Sequence, residues 1–161
     1  MCVTCEGSTY DDEMAELTRA VEQDGWAVRA VFEHGLRAPW AYTVGLTSFG
    51  RPELVVTGLD ALEAADLLNE VALLLVETDE APRPGSRIPA TGGVPVEFVE
   101  VAAPDEHLVR AVALHGEGVR AVQVVWSDER GHWPWQRSFR SAGGGQPVLG
   151  PRARDAPPLP E

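Results

Sequence analysis

The sequence predicts an α+β fold: one domain with a mainly antiparallel sheet and about three helices packed on one face of it. Three observations lead there. The 161 residues match a single domain of common size, able to bury a core without staples. Three apolar, strand-like runs follow one another through short connections, which favours antiparallel neighbours. The order helix, three strands, helix, strand, helix, strand is not the regular alternation of a doubly wound parallel sheet. No internal repeat is present.

Each element has a local cause. Ser8 and Thr9 precede Asp11, Asp12 and Glu13, giving side-chain acceptors and acids at a helix start. Tyr10, Met14, Leu17 and Val21 then recur at helical spacing and Gly25 follows as a C-terminal cap, so a helix is predicted over 10–24. Strands are predicted over Trp26–Phe32, Trp40–Leu46 and Pro52–Gly58, separated by His34-Gly35, Pro39 and Phe49-Gly-Arg-Pro52. Asp60 opens a second helix whose stripe of Ala61, Ala64, Leu68, Val71, Ala72 and Leu75 opposes Glu63, Asp66, Glu70 and Glu77. The stretch from Ala81 to Gly93 carries Pro82, Pro84, Gly85, Pro89, Gly92 and Gly93 and reads as a lid or a crossing loop. Val94–Val101 is a strand, Pro104 begins a third helix ending near His115-Gly116, and Ala121–Trp126 is the last strand. The proline-rich remainder, 151–161, reads as disordered.

Composition excludes several function classes. The formal net charge of −12 repels phosphate backbones and anionic surfaces, so neither nucleic acid nor membrane is expected as a partner. The chain contains no lysine. Schiff-base and pyridoxal chemistry, a lysine general base and a P-loop lysine are therefore ruled out. No run approaches the ~18 apolar residues of a membrane span, and the N-terminus has neither part of a signal peptide. The chain is read as cytoplasmic.

Trp40-Ala-Tyr-Thr-Val-Gly-Leu46, Pro52-Glu-Leu-Val-Val-Thr-Gly-Leu59 with Asn69 after it, and Asp128 to Trp135 with Gln146-Pro-Val-Leu-Gly150 occur in order. Together they resemble the bacterial domain-of-unknown-function family 4262, from about Asp24 to Gly150. The resemblance implies no catalytic residue set, so chemistry is read from the residues themselves.

Asp128-Glu-Arg-Gly-His-Trp-Pro-Trp-Gln-Arg137 is the densest group of chemically versatile side chains. It follows a strand, where a rigid scaffold commonly presents binding residues. Trp40 and Tyr42, two apart on a strand, share a face. With Trp126, Trp133 and Trp135 they are expected to line a cleft for a flat or apolar small molecule, oriented by Asp128, His132 and Arg137. Asn69 could reach the ligand. The bland alternative is that the indoles fill the core. His132, with an unperturbed pKa of about 6.5, is the acid/base candidate and Asp128 its orienting partner; the competing reading is an exposed loop histidine. No G-x-S-x-G elbow supports a serine nucleophile.

Cys2-Val-Thr-Cys5 could supply two thiolates to zinc, including a four-cysteine site shared by a homodimer, or act in redox chemistry, or do neither. His107 and His115, about 12 Å apart on one predicted helix, cannot share a metal. The expected function is thus small-molecule binding in an aromatic cleft. An enzyme using the His132/Asp128 pair, assisted by metal, is one alternative. An acidic interaction module, such as an immunity or adaptor protein, is another.

Overall fold

The capping residues begin the first helix where the sequence places it. A computed structural model describes residues 9–32, 38–141 and 145–160. In helix α1 (Tyr10–Asp24) the Thr9 hydroxyl accepts from the Asp12 amide at 3.2 Å and the Asp12 carboxylate accepts from the Thr9 amide at 3.3 Å. This reciprocal pair is a capping box. Helix α2 (Ala61–Thr78) is capped likewise by Asp60, whose carboxylate accepts from the Glu63 amide at 2.9 Å. The bounds of α1 and the start of α2 match the sequence reading.

Six strands form one sheet: β1 (Ala27–Val31), β2 (Trp40–Val44), β3 (Glu53–Thr57), β4 (Arg87–Pro89), β5 (Pro95–Glu100) and β6 (Ala121–Trp126). Their spatial order is β1-β2-β3-β6-β5-β4. Neighbours are antiparallel except β3 and β6, which run parallel with Leu54 opposite Val122. The Pro/Gly-rich stretch supplies β4, paired with β5, and a short 3-10 turn at Thr91–Gly93.

The helices do not share one face, which corrects the expectation. Ala64, Leu68, Val71 and Leu75 of α2 pack with Ala41, Leu54, Val56, Phe98 and Val124. On the other face, Leu17 and Val21 of α1 meet Leu108 and Ala111 over Tyr42, Val44 and Val55. The cause lies in β3: Leu54, Val55 and Val56 are all fully buried, so both faces of this central strand need a cover. Truncating such a side chain, Leu68→Ala for example, would cost roughly 2–5 kcal/mol.

The third predicted helix is two pieces, α3 (Pro104–His107) and α4 (Val109–His115), broken at Leu108 with φ −109° and ψ 51°. The break lets Leu108 be completely buried. It also turns the His107 carbonyl toward Trp40, whose Nε1 donates to it at 3.0 Å.

The rest of the second face is covered by irregular chain. Val99 and Val125 pack against Trp133, Trp135, Val148 and Leu159. Residues 151–160, whose composition favours disorder, are thus held against the sheet. Their anchor is Arg152, which donates to the Glu97 carboxylate at 2.8 and 2.9 Å.

Candidate ligand-binding cleft

The parallel pair β3 and β6 brings two chain exits side by side. Gly58 and Leu59 leave β3 toward α2, and Ser127 and Asp128 leave β6. Crevices outside the carboxyl ends of adjacent parallel strands are recurrent ligand sites in α/β sheets. Here the crevice is a cleft of about 530 Å³ bordered by Gly58, Leu59, Glu63, Trp126, Asp128 and Arg140. A second cleft of about 620 Å³ adjoins it along α2, sharing Leu59, Glu63 and Trp126 and continuing over Leu67, Val94 and Val96. The first cleft carries charges of both signs; the second is more apolar but is edged by the carboxylates of Glu63, Asp66 and Glu70.

Trp126 is fixed where the clefts meet. Its Nε1 donates to the Thr57 carbonyl at 2.9 Å and its ring lies 5.5 Å from that of Phe139. Its backbone is gripped by Gln146, whose Oε1 accepts from the Trp126 amide at 3.0 Å and whose Nε2 donates to the Trp126 carbonyl at 2.8 Å. Gln146 reaches it because the returning chain crosses the end of β3 at Gly58. At φ +82°, a Cβ on Gly58 would lie 2.5 Å from the Gly145 carbonyl oxygen, so only glycine fits there.

Asp128 lines the cleft, yet its oxygens are engaged in building the loop. Oδ1 accepts from the amides of Arg130 at 2.9 Å and His132 at 2.8 Å, and Oδ2 from that of Arg140 at 2.9 Å. Desolvation is the largest single influence on its carboxyl and pushes the pKa up. The three amide bonds and the His132 ring together outweigh it and hold the carboxyl below its ordinary value of 3.8. His132 stands with Nδ1 3.6 Å from Oδ2, beyond hydrogen-bond reach. That nitrogen is buried without a partner among the described residues, and His132 does not border either cleft.

The other aromatic residues do not join Trp126. Trp40 and Tyr42 lie on the opposite face of the sheet, in the core beneath α1 and α4. Tyr42 Oη accepts from the Arg110 amide at 3.1 Å; burial raises its pKa above 10.0, outweighing that bond and the nearby arginines. Trp133 and Trp135 stack on each other at 6.3 Å in the third cluster. Asn69 is exposed and accepts from Trp26 Nε1 at 3.0 Å, bordering a separate shallow cleft of about 430 Å³. Arg137 is exposed, with its carbonyl accepting from Arg140 Nη1 at 2.9 Å. Of the expected group, only Trp126 and Asp128 border the main cleft. Cys2, Cys5 and His34 lie outside the described residues, among which no cluster of metal-binding side chains occurs.

Three buried polar side chains were not singled out from sequence: Glu53, Glu97 and Gln123, each fully buried. Glu53 opens β3 directly before an apolar run, whereas Glu97 and Gln123 sit among apolar neighbours within β5 and β6. A polar residue set directly against apolar strand residues is the signal by which they could have been found. Gln123 ties the strands to the crossing chain, donating from Nε2 to the Pro147 carbonyl at 2.8 Å and accepting at Oε1 from Leu149 at 2.7 Å.

The fold is therefore a single α+β domain built around one parallel strand pair, with two adjoining clefts beside the end of that pair. Residues 20–140 match the family model described as Domain of unknown function (DUF4262), and the chain belongs to that family. No curated protein and no solved structure matches it. Among the described residues, no helix is long and apolar enough to cross a membrane.

Proposed function

We propose that this domain binds a small molecule in the groove that runs along α2 past Trp126. The observation that carries the reading is the meeting of two clefts, about 530 and 620 Å³, at Leu59, Glu63 and one immobilised indole. Each volume lies within the roughly 300–1,000 Å³ usual for ligand sites. The indole is held at its nitrogen and at both backbone groups, so binding against it would lose little side-chain freedom. The arrangement suits a ligand with a flat or apolar body against Trp126, Leu67 and Val96 and a polar group toward Glu63 and Arg140.

Binding is favoured over acid–base catalysis by the state of Asp128. A carboxylate that already accepts three backbone amides is committed to loop structure, and its partner His132 is not at the cleft. A fragment library screened by 1H–15N NMR tests the reading. Hits are expected to move the Trp126 indole N–H together with the amides of Leu59 and Glu63, and Glu63→Ala to weaken them without changing the rest of the spectrum. Hits that scatter over the surface, or that leave the Trp126 indole unmoved, would overturn it.

A further inference from the structure

Glu97 has no exposed surface although it lies in the middle of β5. A carboxylate removed from water must be paired and hydrogen-bonded. Arg87 of β4 donates from Nε to Oε1 at 3.1 Å. Arg152 donates from Nε to Oε2 at 2.9 Å and from Nη2 to Oε1 at 2.8 Å, a bidentate fork. Its guanidinium carbon lies 4.8 Å from the Trp135 ring centroid, and that of Arg87 lies 4.4 Å from Trp133. A carboxylate for the fork and an indole face for the flat cation are the two features that select a guanidinium over an ammonium.

Three observations make Arg152 an occupant of this site and not part of its wall. Residues 151–160 contain no helix or strand; they are held by side-chain and loop contacts, through Arg152, Leu159, the Pro160 carbonyl, which accepts from Gln136, and Ala153, Asp155 and Ala156 beside Gly85. Arg87, Glu97, Trp133 and Trp135 lie within the span that matches the family, 20–140, whereas Arg152 lies outside it. Arg87 Nη2 is buried with no hydrogen-bond partner among the described residues, leaving a donor open to a carbonyl or carboxylate brought by another chain. We propose that Glu97, Trp135 and Arg87 form a recognition site for an arginine-bearing peptide segment, and that residues 151–160 fill it in cis as an exchangeable latch.

The latch holds the site at an effective concentration of order millimolar, as expected for a short tether. A free peptide therefore competes poorly until Arg152 is removed. The probe is a fluorescently labelled synthetic peptide of residues 151–160, titrated by anisotropy into the full chain. The Arg152→Ala chain should bind it at least about tenfold more tightly than the unaltered chain. A peptide carrying lysine in place of Arg152 should bind at least about tenfold more weakly than the arginine form. Circular dichroism establishes that the variant is folded. If it is not, the Arg152→Lys chain, which keeps the charge but loses the fork, takes its place with the same expected order. Equal binding to variant and unaltered chain, or no binding to a folded variant, would show Arg152 to be a fixed part of the core and overturn the proposal.

Discussion

Replacing Glu53 with alanine should be among the most destabilising single changes in this protein. The Glu53 carboxylate is fully buried and satisfies the turn after β2: it accepts from the amides of Gly45, Leu46 and Thr47 at 3.3, 3.0 and 2.8 Å and from the hydroxyls of Thr43 and Thr47 at 2.9 and 2.5 Å. A hydroxyl can turn to another acceptor, but the three amides cannot. Each buried donor left unsatisfied costs about 1–3 kcal/mol. Thr47 is only partly buried and water can reach it, so the lower part of the summed range applies, roughly 3–6 kcal/mol for Glu53→Ala. That is a large share of the ~5–15 kcal/mol stability of a domain. At about 2–4 °C per kcal/mol for a chain of this length, Tm should fall by roughly 6–24 °C. Glu53→Gln keeps one accepting oxygen but turns an amide donor toward the other donors, so about half the loss is expected, ~2 kcal/mol or more. Urea denaturation followed by far-UV circular dichroism, with the m value unchanged, measures both. Values for the two variants within about 0.5 kcal/mol of the unaltered protein, the range of an ordinary surface substitution, would refute the role given to this carboxylate.

Three further outcomes are expected. The depressed pKa of Asp128 contributes stability that is complete above the unfolded carboxyl value and is lost as pH falls through the lower folded value. Asp128→Asn should therefore flatten the acid limb of the stability curve below about pH 4, read from urea midpoints across pH. Tyr42, whose pKa is raised by burial, contributes stability below its ordinary value that is lost as pH rises through the higher folded value. An ultraviolet titration should show one tyrosine ionising above 10.0, and Tyr42→Phe should remove that step. Gly58→Ala places a methyl 2.5 Å from the Gly145 carbonyl oxygen at φ +82°. The crossing chain must shift, so Tm should fall and the Trp126 indole resonance should move in an NMR spectrum, because Gln146 grips that residue.

Local chemistry made the ends of the elements legible. Thr9 with Asp12, and Asp60 before an apolar stripe, give the helix starts, and the apolar, β-branched run ending at Trp126 gives β6, because capping and local composition act over a few residues. What failed depends on contacts far apart in sequence. The break at Leu108 follows from burial of that side chain and from the reach of Trp40 to the His107 carbonyl, 67 residues away. The parallel pairing of β3 with β6 has no local signature. It decides the candidate site, since it sets Trp126 on the α2 face while Trp40 and Tyr42 face α1 and α4; a shared strand-parity rule holds within one strand and says nothing across a sheet. Residues 151–160 read as disordered by composition, yet Arg152 finds a buried carboxylate 55 positions earlier. Asp128 is read from the sequence as the partner that orients His132; in the fold its oxygens accept three loop amides, and the imidazole stands 3.6 Å away.

The most direct measurement is a crystal structure of the protein soaked with the fragments that shift the Trp126 indole N–H. A fragment seated between Trp126 and Leu59, with a polar atom on Glu63 or Arg140, is the predicted result. Density for the same fragments only outside the α2 groove would contradict a binding role for it.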